Sequence, residues 1–395
     1  MIQSIVAFTY EIDFPDKAVE ELLKQLEPLT EFKDKYNMIG IVTCSYDYIE
    51  SGIIKSLSNA LDFDIIGMTT ISQAISKTAG MLLLTLTVLY SEDCNFVAGV
   101  TTPIPQTGDI RACVSESYLK MSEKLPEKEK LIIIFTPLLP HQSGDKYVNI
   151  LSSLSSHVPI FGSIAIDDNV ESYENSYTIY NEVAYKDCMS FMLISGNLSP
   201  EFKLYSILNE STLPYKGEIT DSEGNILKKI NDLPLVSFFE TIGLASDGKL
   251  RNGINSIPFL INFETESGYN NIPVARALFL TTSENYGVCG GDMPIGSSLT
   301  LGECSKDTVI STMQYLTDEI SEKYLNRTVL IFSCIGRKFA LMAEHLKEIE
   351  FAQENMPKNT NFMLSYSGGE FCPTDITDGK TVNRFHNYSL VACVL

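Results

Sequence analysis

Runs of aliphatic residues alternate along this chain with stretches whose apolar positions return every third or fourth residue, and turn-forming clusters separate the two. The first pattern predicts strands and the second amphipathic helices. In the first half, strands are expected at Met38–Cys44, Asp64–Thr70, Gly80–Tyr90, Lys130–Leu138 and Pro159–Ala165. Helices are expected around Ile49–Leu61, Asp109–Lys124 and Tyr147–Ser155. Ser176–Asn181 and Val183–Ser195 alternate apolar with polar residues and read as a hairpin or meander.

Turn residues at Asn197–Phe202 mark the start of a second half, so the expected domains are 1–200 and 201–395. There, Ile219–Asp232 reads as a hairpin tipped by Glu223-Gly224-Asn225, and Leu233–Leu244 as a short helix closed by Gly243. Ile257–Glu264 and Val274–Asn285 read as strands, and the glycine-rich Val288–Ser298 as a hairpin turn. Ser305 is placed to cap a helix whose apolar positions are Val309, Ile310, Met313, Leu316, Ile320 and Tyr324. A strand to Cys334, a helix over Arg337–Asn355, and strands at Asn361–Ser367 and Tyr388–Leu395 complete the chain. The expected class is α/β (α+β): two related modules of mixed β-sheets flanked by helices, sandwich-like. A faint echo supports relatedness, because a strand ending in glycine and a hydroxyl recurs at Ile66-Gly67-Met68-Thr69 and Phe161-Gly162-Ser163, with Ser365–Glu370 similar in kind.

At 395 residues, 44% hydrophobic and 20% charged, the chain has material for more than one core. Its net charge of −21, without a basic run, excludes nucleic-acid binding through phosphate contacts. Its longest apolar run is too short to span a bilayer, so neither membrane insertion nor export is expected, and the sequons are chance matches. Nine cysteines without a Cys-x-x-Cys pair fit reduced thiols in a cytoplasmic protein, with no metal site and no cofactor.

Candidate chemistry concentrates near the C-terminus. Gly336-Arg337 opens a helix, where free backbone N–H groups and a guanidinium suit an anion such as a carboxylate. Cys334 precedes that turn and is either a buried structural thiol or a nucleophile, for which His386 is the attractive base. Gly368 and Gly369 allow a close backbone approach, and Glu370 suits a ligand ammonium or a pairing with Arg337. The segment around Val288–Ser298 lacks the spacing of a nucleotide loop, and Asp167 and Asp168 follow a strand as possible lining residues.

With Phe332–Arg337 ("FSCIGR"), Tyr366–Pro373 ("YSGGEFCP") and His386–Ser389 ("HNYS") in this order, the second half resembles the C-terminal module of the FIST domain family. The first half, with "IIGMTT" and "PIFGSIAIDD" flanking "KLIIIFTP", is similar to that family's N-terminal module. The resemblance implies a sensory protein that binds a small molecule such as an amino acid and signals through a partner protein, since no effector domain is attached. The implied ligand wall is Cys334, Gly336, Arg337, Gly368, Gly369, Glu370, His386 and Asn387, with Thr69, Ser163 and Asp167 behind it. Met68 and the doubled glycine in "SGGE" depart from the family's usual pattern. The alternatives are a cysteine-dependent enzyme using Cys334 with His386, and a protein-interaction scaffold.

Overall fold

A computed structural model describes residues 2–32, 35–169, 174–207, 211–250, 257–262, 264–265, 268–269, 273–375 and 381–395. One strand-helix-strand plan is used three times. The first unit runs β1 (Gln3–Thr9), α1 (Pro15–Gln25), β2 (Asn37–Cys44), α2 (Ile53–Ala60), β3 (Ile65–Thr69), a hairpin of β4 (Gln73–Ile75) and β5 (Thr78–Gly80), then β6 (Leu84–Ser91). The second runs β7 (Cys94–Val100), α3 (Arg111–Ser122), β8 (Leu131–Thr136), α4 (Gly144–Leu154), β9 (Ile160–Ile164), a hairpin of β10 (Thr178–Tyr180) and β11 (Val183–Tyr185), then β12 (Ser190–Gly196).

The third unit opens with β13 (Glu201–Tyr205) and then carries an inserted antiparallel sheet. The insertion contains β14 (Thr212–Glu223), β15 (Ile226–Ile230), the helix α5 (Leu235–Thr241), β16 (Phe259–Asn262), β17 (Val274–Arg276), β18 (Leu278–Thr281), β19 (Gly287–Cys289) and β20 (Ser298–Gly302). The plan resumes with α6 (Lys306–Lys323), β21 (Thr328–Cys334), α7 (Ile335–Ala340), α8 (Lys347–Asn355), β22 (Asn361–Ser367), a hairpin of β23 (Glu370–Asp375) and β24 (Thr381–His386), and β25 (Leu390–Val394).

The units are interlocked through their hairpins. Each contributes a parallel pair, β2 with β3, β8 with β9 and β21 with β22. Each then lends its hairpin to another unit: β4 pairs with β22, β23 with β9 and β10 with β3. Three six-stranded sheets result, in the orders β1-β6-β2-β3-β10-β11, β24-β23-β9-β8-β12-β7 and β13-β25-β21-β22-β4-β5. Their inner faces share one core, to which Ile41 and Ile66, Ile133 and Phe161, and Leu330 and Met363 contribute. Phe332 makes edge-on contact with Phe135 at 5.7 Å and a tilted one with Phe161 at 5.4 Å. The helices cover the outer faces with separate clusters.

Most expected elements form, with informative departures. Arg337–Asn355 is not one helix: it breaks into α7, a 3₁₀ turn at Met342–Glu344 and α8, with Met342 at φ 54° turning the corner. Gly52 at φ 80° starts α2, so only part of Ile49–Leu61 forms that helix. Gly80 ends β5, and the strand expected from Gly80 begins at Leu84. Val183–Ser195 divides between β11 and β12, which lie in different sheets. Gly287–Gly302 does not fold back as a hairpin, because β19 pairs with β15 and β18 while β20 pairs with β14 and β16. Ser305 caps α6 by accepting from the Thr308 N–H, as its position predicted. Phe263, inside one expected strand, lies outside the described residues.

Candidate functional site

The C-terminal ends of the three parallel pairs meet. Ile166 N–H donates to Thr69 O at 3.1 Å, Ile164 N–H to Gly369 O at 2.9 Å and the Thr70 hydroxyl to Tyr366 O at 2.8 Å. The three echoed segments therefore converge, and one physical reason for the echo is steric. Gly67 and Gly162 sit opposite Val42 and Ile134, and a Cβ at either would fall within 2 Å of that neighbour's carbonyl oxygen. Ligands of open α/β sheets bind outside the carboxyl ends of their strands, which makes this junction the place to search for a site.

Alternation along the strands lays hydroxyls and amides over the apolar core at this end. Thr43 donates to Gln73 Oε1 at 2.5 Å, Ser365 donates to Thr43 at 3.1 Å and Thr85 to Gln73 Oε1 at 2.9 Å. On the C-terminal side of the same layer stands Glu370, fully buried. Its oxygens accept from the Ser367 hydroxyl at 2.5 Å and the Ser389 hydroxyl at 2.7 Å. Burial pushes its carboxyl up to about 8, against these hydrogen bonds and the Arg337 charge. A carboxyl buried without an ion pair keeps its proton through neutral pH, whereas a cation beside it would release that proton.

Arg337 does not pair with Glu370. Its guanidinium, fully buried, binds Glu348 Oε1 through Nη2 at 2.6 Å and Nε at 3.1 Å. It also reaches Thr312 Oγ1 at 2.9 Å and Val309 O at 3.1 Å, so α7, α8 and α6 are tied together by one side chain. Nη1 makes no hydrogen bond among the described residues. Its neighbour Lys338, which sequence reasoning passed over, turns the other way. Nζ donates to Ser72 Oγ at 2.9 Å and to His345 O at 3.3 Å.

The remaining expected residues divide into those near Glu370 and those that build the frame. Asn387 is fully buried; its Oδ1 accepts from Ala277 N–H at 3.1 Å, and its Nδ2 is unpartnered among the described residues. Gly369, at φ 154°, passes so close that an added Cβ would lie 2.9 Å from that Nδ2. Gly336 packs against the Tyr388 ring and Gly368 against Ile164. Thr69 accepts from the Tyr177 N–H at 2.8 Å, and Ser163 contacts the Met68 sulfur at 2.9 Å. Asp167 accepts from the N–H groups of Asn169 and Asn175, which makes it a loop staple beside the junction.

Cys334 and His386 do not form a reactive pair. The buried thiol is pushed well above its ordinary range by desolvation and then by the Glu370 charge, the opposite of activation. His386 is held down to about 3 by burial and the nearby arginines. Its Nε2 lies 3.2 Å from Cys372 O, and no hydrogen bond joins it to Cys334 among the described residues. The described residues hold no cluster of His, Cys, Asp or Glu suited to a metal. A hollow of about 790 Å³ beside Tyr10, Glu11, Lys17 and Asp47 shares no residue with the junction.

Comparison with known proteins bears on this arrangement. The FIST N domain matches residues 38–233, and the FIST C domain matches residues 237–373. The chain belongs to the FIST family. FIST domains are generally sensory, ligand-binding domains, so a small-molecule site is expected in this FIST protein. No curated protein matches it. Among solved structures, a cyanuric acid hydrolase from A. caulinodans is similar over 100% of this chain and 99% of its own, at 8% identity and a TM-score of 0.34. A likeness that slight carries no argument about chemistry. No described helix is long and apolar enough to cross a membrane.

Proposed function

We propose that this FIST protein is a sensor whose ligand is an amino acid or a similar small carboxylate, held in the C-terminal module where β21 and β22 end and β23 begins. The observation that carries the reading is a set of unmet polar demands on residues that follow β21, open β23 and follow β24. Buried donors without partners are rare in native proteins, and here Arg337 Nη1 and Asn387 Nδ2 are two of them. Glu370 is a buried carboxyl without an ion pair among the described residues. A ligand ammonium at Glu370 and a carboxylate taken by Arg337 Nη1 and Asn387 Nδ2 would answer all three. Cys334, Gly336, Gly368, Gly369 and His386 line the same turn set, and Thr69, Ser163 and Asp167 hold it from the N-terminal side.

The ion pair with Glu348 fixes the Arg337 fork, so Arg337 both holds the helices and offers one remaining donor. A ligand bound beside the junction would alter the mutual packing of the units that meet there, and a partner protein would read that change. A thermal-shift screen against free amino acids and short carboxylates tests the binding claim, because a ligand that prefers the folded chain raises its melting temperature. A shift that disappears in Glu370→Gln and Asn387→Ala supports the reading. Equal shifts in both variants place the ligand elsewhere.

A further inference from the structure

The contact between Ser72 and Lys338 belongs to no part of that ligand site, yet it has the form of a nucleophile beside its base. We propose that Ser72 and Lys338 form a serine-lysine pair that attacks small, uncharged acyl compounds such as esters or lactones.

The geometry meets the first requirement of activated-serine chemistry, a hydroxyl and a base within hydrogen-bond reach with the base oriented by a third group. Nζ lies 2.9 Å from Ser72 Oγ, and the His345 carbonyl, 3.3 Å away, fixes its direction. Lys338 also lies over the Tyr366 ring at 5.3 Å. The two residues come from different units. Ser72 stands in the turn between β3 and β4, and Lys338 on α7, so the pair exists only when the hairpin exchange is complete. The Ser72 carbonyl accepts from the Tyr366 N–H at 3.2 Å, which fixes the backbone that carries the hydroxyl.

Charge adds to the geometry. Lys338 joins no carboxylate in an ion pair among the described residues, and its two partners are a hydroxyl and a carbonyl. Desolvation brings its ammonium down to about 8, against a lesser opposing pull from Glu348 on α8. Arg337, on the same helix, is neutralised by Glu348, and Tyr366 on β22 contributes its ring face. An appreciable fraction of Lys338 is therefore the free amine near neutral pH, as a base must be.

The step balances with water as the sole co-reactant. The free amine takes the Ser72 proton while Oγ bonds to the acyl carbon. The leaving alkoxide departs with the proton from the ammonium. Water then cleaves the acyl-serine, releasing the acid and restoring both groups. Lys338 is 7% exposed and Ser72 is 0% exposed, a burial compatible only with compact acyl groups as substrates.

The test uses the full chain and a small alkyl fluorophosphonate, which phosphonylates an activated serine and expels fluoride, followed by peptide mass mapping. The expected result is one adduct on Ser72, absent in Ser72→Ala. Its rate should rise with pH through about 8 and fall at least tenfold in Lys338→Met. Melting curves of each variant establish that it is folded. An unmodified Ser72 in the folded wild-type chain overturns the proposal, as does a labelling rate that Lys338→Met leaves unchanged. Neither outcome touches Glu370, so the ligand reading stands or falls separately.

Discussion

Replacing Glu370 by Gln isolates the property on which the proposed site depends. The carboxyl is fully buried, bonded to two serine hydroxyls, and titrates at about 8 instead of its ordinary 4.5. The unfolded chain loses this proton near 4.5 whereas the folded chain keeps it until about 8, so wild-type stability must fall as pH rises across that window. At about 1.4 kcal/mol for each pH unit, the penalty reaches on the order of 5 kcal/mol at the top of the window. Gln has nearly the same shape and cannot ionise, and the Ser367 and Ser389 hydroxyls can still bond to its amide. Urea denaturation of both proteins from pH 4.5 to pH 8.5 gives the comparison. The difference between the two curves should grow in favour of Glu370→Gln as pH rises, while contributions from other groups cancel. Parallel curves would refute the argument, because they would mean that Glu370 ionises freely and holds no unmet charge demand.

Other substitutions address the frame. Arg337→Met should destabilise the protein by about 3 to 5 kcal/mol, because it strands the buried Glu348 carboxylate, and adding Glu348→Leu should restore much of that in denaturant melts. His386, held down to about 3, makes stability fall as pH drops below about 6.5, and His386→Gln should remove that part of the acid sensitivity in the same melts. Residues 1–200 and 201–395 expressed apart should each lack native near-ultraviolet dichroism and regain it when mixed, since each lends a hairpin to the other's sheet. Iodoacetamide at neutral pH should leave Cys334 unlabelled in the folded chain while reaching the partly exposed Cys113.

Local pattern carried much of the fold, and the exceptions have one physical character. Apolar runs marked β2, β3, β8, β9, β21 and β22, and the Ser305 cap marked α6, because each depends on residues close in sequence. The hairpin exchange depends on pairings such as Ala74 with Leu364, whose partners nothing local specifies. The echo of glycine and hydroxyl was its trace: Gly67 and Gly162 recur because the same backbone crowding recurs. The pairing of Arg337 was hidden for a different reason. On the continuous helix that periodicity predicted, Glu348 would stand about 16 Å along the axis from Arg337. The corner at Met342 folds α8 back and brings the two to 2.6 Å. Lys338 drew no notice because its partner, Ser72, lies 266 positions away.

The measurement that bears most directly on the sensor reading is calorimetric titration, near pH 7, of an amino acid that stabilises the protein, run in two buffers of different ionisation enthalpy. A ligand ammonium seated on Glu370 converts a protonated carboxyl into a carboxylate, so binding should release close to one proton, and Glu370→Gln should abolish that release. Binding with equal heats in both buffers, or with proton release that Glu370→Gln leaves intact, would contradict the account.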